Sequence, residues 1–205
     1  MESNHFDELG ELRAVASSIF SIEVAARLDR APHLLPILRS AITEQPHTVG
    51  LHQKWQLYKR ASEALLGNLG LIERGCWDYF DNDERAEKDF KMWLGGMTTK
   101  EGARQMPSGR PDPYRGEPRY LTFTMTFLLL RPSPTDRALA HLCNIPEQHL
   151  WRRDVFGRLL GGMGIINFAS VKADVMYLIP RDDDWGLTAS DLAEQKFHYL
   201  RQLVG

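Results

Sequence analysis

The run Tyr120 to Leu130, Tyr-Leu-Thr-Phe-Thr-Met-Thr-Phe-Leu-Leu-Leu, constrains the fold of this chain more than any other stretch. Leu121, Phe123, Met125, Phe127 and Leu129 fall on one side and Thr122, Thr124 and Thr126 on the other, the period-two alternation of a half-buried strand. A second alternating run, with Val171, Ala173, Val175, Tyr177 and Ile179 on one face, predicts another strand some forty positions later. Between them the sequence is helical. Ser133 is placed to cap a helix with Pro134 in its first turn, and Pro146 divides the region into pieces near 135–143 and 147–160. Arg119 to Pro180 therefore reads as a β-α-β unit, with Gly161-Gly162-Met163-Gly164 as the turn before the return strand.

The first half reads as helices. Leu9, Leu12, Ala16, Ile19 and Ile22 recur every three or four residues, predicting a helix that ends near Asp29. Leu34, Leu35, Leu38 and Ile42 give a short second helix between Pro32 and Pro46. Trp55, Tyr58, Ser62, Leu65, Leu69, Ile72 and Cys76 continue the spacing in a third, which packing must hold together or which breaks near Gly70. Asp83 and Glu84 open a fourth helix that buries Ala86, Phe90 and Trp93 and stops at Gly95-Gly96. Four helices on short turns predict a bundle. Thr188 with Asp191 resembles a capping pair for a closing helix carrying Leu192, Tyr199, Leu200 and Leu203.

The expected architecture is thus α+β: an N-terminal helical region over 1–95, a Gly/Pro/Arg-rich linker or loop over 96–118, and a small α/β domain over 119–205. Two strands make a marginal sheet. A third strand is expected from Ile165 to Ser170 or from a second copy, so a homodimer or larger homo-oligomer paired through sheet edges or helices is expected.

Bulk properties exclude some functions. A formal net charge of −2 over 205 residues supplies no field strong enough to imply nucleic acid, which would need a local basic patch, and none is expected as a partner. No apolar run approaches the roughly 18 residues of a membrane helix. The acidic start lacks a signal pattern, and two distant cysteines, Cys76 and Cys143, suit a reducing interior, so the expected location is the cytoplasm.

No complete catalytic or cofactor motif is present. The glycine turn follows a helix and precedes a strand, the reverse of a phosphate cradle. His141 and Cys143 project about 200° apart on one helix, and Pro146 separates them from His149, so no metal site is expected there. His47 and His52 are likewise unsupported. Asp182-Asp183-Asp184 lacks the spacing of a calcium loop and reads as a solvated turn with Trp185 packed down. Cys76 and Cys143 read as small core residues rather than nucleophiles, and no Gly-x-Ser-x-Gly elbow occurs. No cofactor is expected.

Two functions fit these residues. One is a non-catalytic protein-interaction or regulatory module that uses Arg104, Arg110, Tyr114 and Arg115 of the 96–118 segment to grip an acidic partner or phosphate. The other is a small-ligand binder or enzyme with a pocket between the helical half and the sheet, built from His141, Arg152, Arg153 and Tyr177.

Tyr120 to Leu130, Leu159-Leu160-Gly161-Gly162, Ala173 to Pro180 and the run Asp182, Asp183, Asp184, Leu187, Thr188 and Leu192 resemble an uncharacterised family of bacterial and plastid proteins, a domain of unknown function best known from cyanobacteria. That family's second strand usually ends in Trp-Thr-Pro, where this chain has Leu178-Ile179-Pro180, and the helical half matches only in order and length. The resemblance implies helices followed by a small α/β unit, and no activity.

Overall fold

A computed structural model of the protein describes residues 16–44, 50–98, 116–181 and 186–205. Its centre is a five-stranded antiparallel sheet in the order β4-β3-β1-β2-β5. The strands are β1 (Ser17–Arg27), β2 (Ile72–Phe80), β3 (Tyr120–Leu130), β4 (Val171–Ile179) and the two-residue β5 (Arg201–Gln202). The helices are α1 (Leu34–Thr43), α2 (Leu51–Gly67), α3 (Asp83–Thr98), α4 (Pro134–Leu142) and α5 (Arg153–Gly161).

The expected N-terminal bundle is not the fold: the first described element is a strand, and it lies at the middle of the sheet. Ile19 and Ile22, read as one helical stripe, stand on opposite faces of β1. Phe20, Ile22, Val24 and Ala26 face one layer, while Ile19, Ser21, Glu23 and Ala25 face the other. Every residue from Ser17 to Ala26 is buried. A strand covered on both sides carries apolar residues on both faces, which blurs its alternation into something a helical period also fits. The β-branched Ile19, Ile22 and Val24 favour the extended backbone.

The third expected helix ends at Gly67, with a 3-10 turn over Leu69–Leu71, and the chain continues as β2. The expected closing helix is also replaced. Thr188 and Asp191 do form the reciprocal pair, with the Thr188 N–H and hydroxyl both donating to Asp191 Oδ2 at 2.9 Å. The helix does not propagate: two single 3-10 turns lay Leu192, Phe197 and Leu200 against the sheet before β5. Ile165 to Ser170 supply 3-10 turns rather than a third strand.

Strands β3 and β4 lie side by side as expected, and antiparallel. Phe123 and Val175 nevertheless face opposite layers, since Phe123 pairs with Leu178 and Val175 with Thr126. A register shift between Leu128 and Leu129 returns Val171 to the main core. Five strands within one chain remove the need for a second copy to complete the sheet. Strands from both sides of the 96–118 segment share that sheet, with β1 paired to β3 along its full length. Among the described residues no helix is long and apolar enough to cross a membrane.

The main core lies between one sheet face and helices α1, α2, α4 and α5. Tyr58 of α2 packs on Phe127 at 4.7 Å between ring centroids and on Phe168 at 5.2 Å. Its hydroxyl donates to Asp174 of β4 at 3.0 Å, and Lys54 pairs with the same carboxylate at 2.5 Å. The opposite face is covered from two ends. Helix α3 sets Ala86 and Phe90 on Ile19 and Leu128, anchored by the Ser17 N–H donating to Asp83 at 2.7 Å. The C-terminal segment sets Leu187, Leu192, Phe197 and Leu200 on Ala25, Tyr120 and Ile179.

Gly75 of β2 faces Phe156 of α5. A Cβ there meets the buried Phe156 ring and stands 3.1 Å from the Glu23 carbonyl oxygen. Gly75→Ala is expected to lower the unfolding free energy by about 1–3 kcal/mol in urea titration. Gly164→Ala, where an added Cβ meets nothing within 4 Å, is expected to stay within about 0.5 kcal/mol of the parent. Equal effects at the two sites contradict this packing.

Candidate functional site

Between its two apolar covers the second sheet face is polar. Register sets the rows. Asp78, Ser21, Thr126 and Val175 lie side by side across β2, β1, β3 and β4, and Cys76, Glu23, Thr124 and Tyr177 form the next row. Side chains opposite one another in such rows stand about 5 Å apart at Cβ. Ser21 and Thr126 share a hydrogen bond of 2.8 Å. Above the second row Tyr199 reaches down from the C-terminal segment, its hydroxyl donating to Glu23 Oε2 at 3.0 Å. Trp93, on the last turns of α3, meets the Tyr199 ring edge-on, with centroids 5.5 Å apart and planes at 86°. The covers of the face thus join over a row of hydrogen-bonding groups.

Glu23 is the centre of this strip. It is only 4% exposed, and no cation among the described residues lies within ion-pair distance of it. Burial disfavours the charged form more than the hydrogen bonds from Tyr199 and Thr124 favour it, and its carboxyl is pushed up to about 7. Burial, then the nearby Glu23 and Asp78, push the Cys76 thiol up to about 12. Burial and Glu23 hold Tyr199 firmly in its phenol form. Asp78 is raised, chiefly by burial, against the Tyr79 N–H that donates to it. Glu23 can therefore give or take a proton near neutrality, whereas Cys76, held as a thiol, is no nucleophile.

Asp136 makes the contrast. This buried carboxylate accepts from the Ser18 and Tyr79 hydroxyls at 2.6 Å each, and Arg131 stands 3.7 Å away. Its own N–H donates to Ser133 at the start of α4. Donors and a cation surround it, so it ties α4 to the sheet. Glu23 has donors but no cation.

The residues expected to line a ligand pocket do not come together. His141 is exposed on the last turn of α4. Arg152 is exposed and paired with Asp154 at 2.9 Å. Arg153 donates to the carbonyls of Leu69 at 3.1 Å, Gly205 at 3.1 Å and Ile72, bracing α5 against the turn before β2 and against the C-terminus. Tyr177 alone belongs to the polar strip, half-buried in the row of Glu23 on the opposite sheet face. Arg104, Arg110, Tyr114 and Arg115 lie outside the described residues, as do His47 and the 182–185 turn. Cys143 is half-buried and unpaired, with its thiol pushed up to about 12 by burial. Among the described residues no group of three or more His, Cys, Asp or Glu side chains is placed to hold a metal ion.

Sequence reasoning missed Glu23, Asp78 and Tyr199, and took Cys76 for core. One signal was available: Glu23 is the only ionisable residue in the run Ser17 to Ala26. Comparison of the chain with protein-family models, with curated proteins and with solved structures found no match.

The raised carboxyl makes a signed prediction. Below pH 4.5 both folded and unfolded chains hold the Glu23 proton. As pH rises toward 7 the unfolded chain releases it while the folded chain keeps it, so stability falls and levels off above pH 7. Glu23→Gln is expected to remove a loss of about 3 kcal/mol between pH 4 and pH 8, measured as the difference between the two urea-titration profiles. Parallel profiles for the two proteins contradict the assignment.

Proposed function

We propose that this protein binds a small molecule at the polar strip of the second sheet face, with Glu23 as the group that exchanges a proton or a charge-assisted hydrogen bond with the ligand. The reading rests on one observation: a carboxyl on the central strand, nine-tenths buried and without a cation, bonded to the hydroxyl of Tyr199, whose ring meets Trp93. A glutamine would satisfy Tyr199 and Thr124 without the cost of burying an ionisable group. Keeping the acid is what a site needs and a core does not. The pocket expected between helices and sheet is occupied by Phe20, Tyr58, Phe127 and Phe156, all fully buried. The opposite face takes its place in this proposal.

A second reading has its own observation. Met92 is 63% exposed and Leu94 also stands open, on the same end of α3 as Trp93. These apolar side chains suit the protein-interaction or regulatory module, with the segment holding Arg104, Arg110, Tyr114 and Arg115 following them in sequence. The unpaired Cys76 and Cys143 support placing the protein in the cytoplasm.

A thermal-shift screen of metabolites separates the two. The ligand reading expects a compound that, at a hundredfold excess over its Kd, raises Tm by roughly 5–10 °C. Glu23→Gln and Tyr199→Phe are expected to abolish that shift while melting cooperatively on their own. A screen without hits, together with partner capture that weakens when residues 104–115 are deleted, transfers support to the interaction reading.

A further inference from the structure

We infer that the C-terminal segment from Thr188 to Leu200 is a strap over the second sheet face that lifts as pH rises toward neutrality, released by Glu23. The segment is tethered at both ends. Before it, Leu187 and Tyr120 exchange two backbone hydrogen bonds of 2.7 and 2.8 Å. Gly186, at φ +73°, leaves no room for a Cβ beside the Tyr120 carbonyl oxygen. After it, β5 pairs with Arg74 and Gly75, and the Leu203 N–H donates to the Glu73 carbonyl at 2.8 Å. Between the tethers, the backbone N–H groups of Leu192, Ala193, Glu194, Phe197, His198 and Leu200 all donate within the segment itself. Side chains hold it down. Leu192, Phe197 and Leu200 pack on the sheet, Arg74 donates to the Leu192 carbonyl at 2.9 Å, and Tyr199 donates to Glu23 at 3.0 Å. Lifting the segment between its tethers therefore breaks no strand ladder.

Glu23 is the lever because of what surrounds it. Strand β2 sets Cys76 opposite Glu23 and Asp78 in the next row, and Arg85 and Asp89 of α3 act on Asp78 in opposite directions. Strand β3 sets Thr124 opposite Glu23, and β4 carries Tyr177 in the same row. Arg201 of β5 is exposed and acts on Cys76. On the strap, Lys196 pairs with Glu194 at 3.0 Å, Asp191 accepts from Thr188 at 2.9 Å, and His198 bonds the Ala193 carbonyl at 3.1 Å. A carboxylate formed under the closed strap thus keeps hydroxyl donors in place of bulk water, and lifting Tyr199 restores solvent, which favours the charged form. Opening then releases a proton between pH 4.5 and about 7, so each step up in pH within that window favours the lifted form, and the effect levels off above it. The inference rests on the ligand-binding reading only for its consequence, access to the strip, since the motion itself needs no ligand.

Cys76 reports the motion, because it packs against the cluster that Leu192, Phe197 and Leu200 form on the sheet, and its thiol is held protonated there. The full chain carrying Cys143→Ala is labelled with N-ethylmaleimide and read by intact mass. Its rate is divided by that of a short peptide with the Cys76 sequence, which cancels the intrinsic pH dependence of the thiol. That ratio is expected to rise about tenfold from pH 5.5 to pH 7.5 and then to level off. It is also expected to change little with urea below the unfolding transition, as local opening does. In Glu23→Gln the rise is expected to vanish while the melt stays cooperative. Phe197→Ala is expected to raise the ratio severalfold at pH 5.5. A rise retained in Glu23→Gln moves the lever to another group, such as His198, and overturns the inference. A ratio that climbs with urea as steeply as global unfolding, or that is unmoved by Phe197→Ala, overturns the strap. A blank metabolite screen leaves a pH-dependent strap standing, whereas a ligand hit with a flat labelling profile removes the strap and leaves the site.

Discussion

Strand β1 is hydrogen-bonded along both edges and covered on both faces, and the rest of the structure depends on that position. Its pairing with β3 runs from Ser17 to Arg27 without a shift, and its pairing with β2 runs from Ile19 to Ala26 with one irregularity near the end. Phe20, Ile22 and Val24 then form the floor of the main core, on which Tyr58, Phe127 and Phe156 close. The other side of the same strand has no such freedom. Whatever it carries is sealed under α3 and the C-terminal segment, and what it carries at its midpoint is Glu23.

A carboxyl in that place is a thermodynamic burden once pH exceeds its unfolded-state value of 4.5, because water solvates the charge better than two hydroxyl donors do. The fold manages the burden rather than removing it. Tyr199 and Thr124 satisfy the oxygens, and no guanidinium or ammonium is brought in to complete an ion pair. At Asp136 the same chain does the opposite, surrounding a buried carboxylate with the hydroxyls of Ser18 and Tyr79 and the guanidinium of Arg131. The two sites show that the fold can supply full compensation, which makes its absence around Glu23 informative. Buried acids held without a countercharge concentrate where a protein does its work.

Several elements were legible in the sequence while the architecture was not: the expected N-terminal bundle is a sheet strand and helices that follow it. The strand at Tyr120–Leu130 declares itself because threonine marks one of its faces, and α4 because Ser133 and Pro134 punctuate its start. Helices α1 and α3 follow from their apolar stripes and their Pro and Asp boundaries. Strand β1 was hidden by burial on both faces, where Ile19 and Ala25 are as apolar as Ile22 and Val24 and helical spacing fits as well as alternation. Strand β2 was hidden by the helix before it, whose apolar period runs on past Gly67 into Ile72 and Cys76. The C-terminal segment carried a true capping pair, yet capping nucleates a helix without sustaining one, and docking of Leu192, Phe197 and Leu200 on the sheet decided the outcome.

The candidate site was less legible than the fold because no local motif builds it. Glu23 and Tyr199 are 176 positions apart, and Cys76, Thr124 and Tyr177 reach the same row only through strand register. His141, Arg152 and Arg153 drew attention as reactive residue types close together in sequence. Arg153 instead spends its donors on main-chain carbonyls, and Arg152 on Asp154. Chemistry-bearing types crowded on a helix end are usually engaged by that end's own backbone and neighbours. A single acid inside an otherwise uncharged strand has no such local use, and its position in the sheet then decides what it meets. In this fold that position places Glu23 beneath Tyr199 of one cover, whose ring meets Trp93 of the other. A group sealed by a single packed layer would be reached only by unfolding that layer. A contact between two side chains parts by moving either of them, and this is the basis for proposing the Trp93–Tyr199 contact as an entrance.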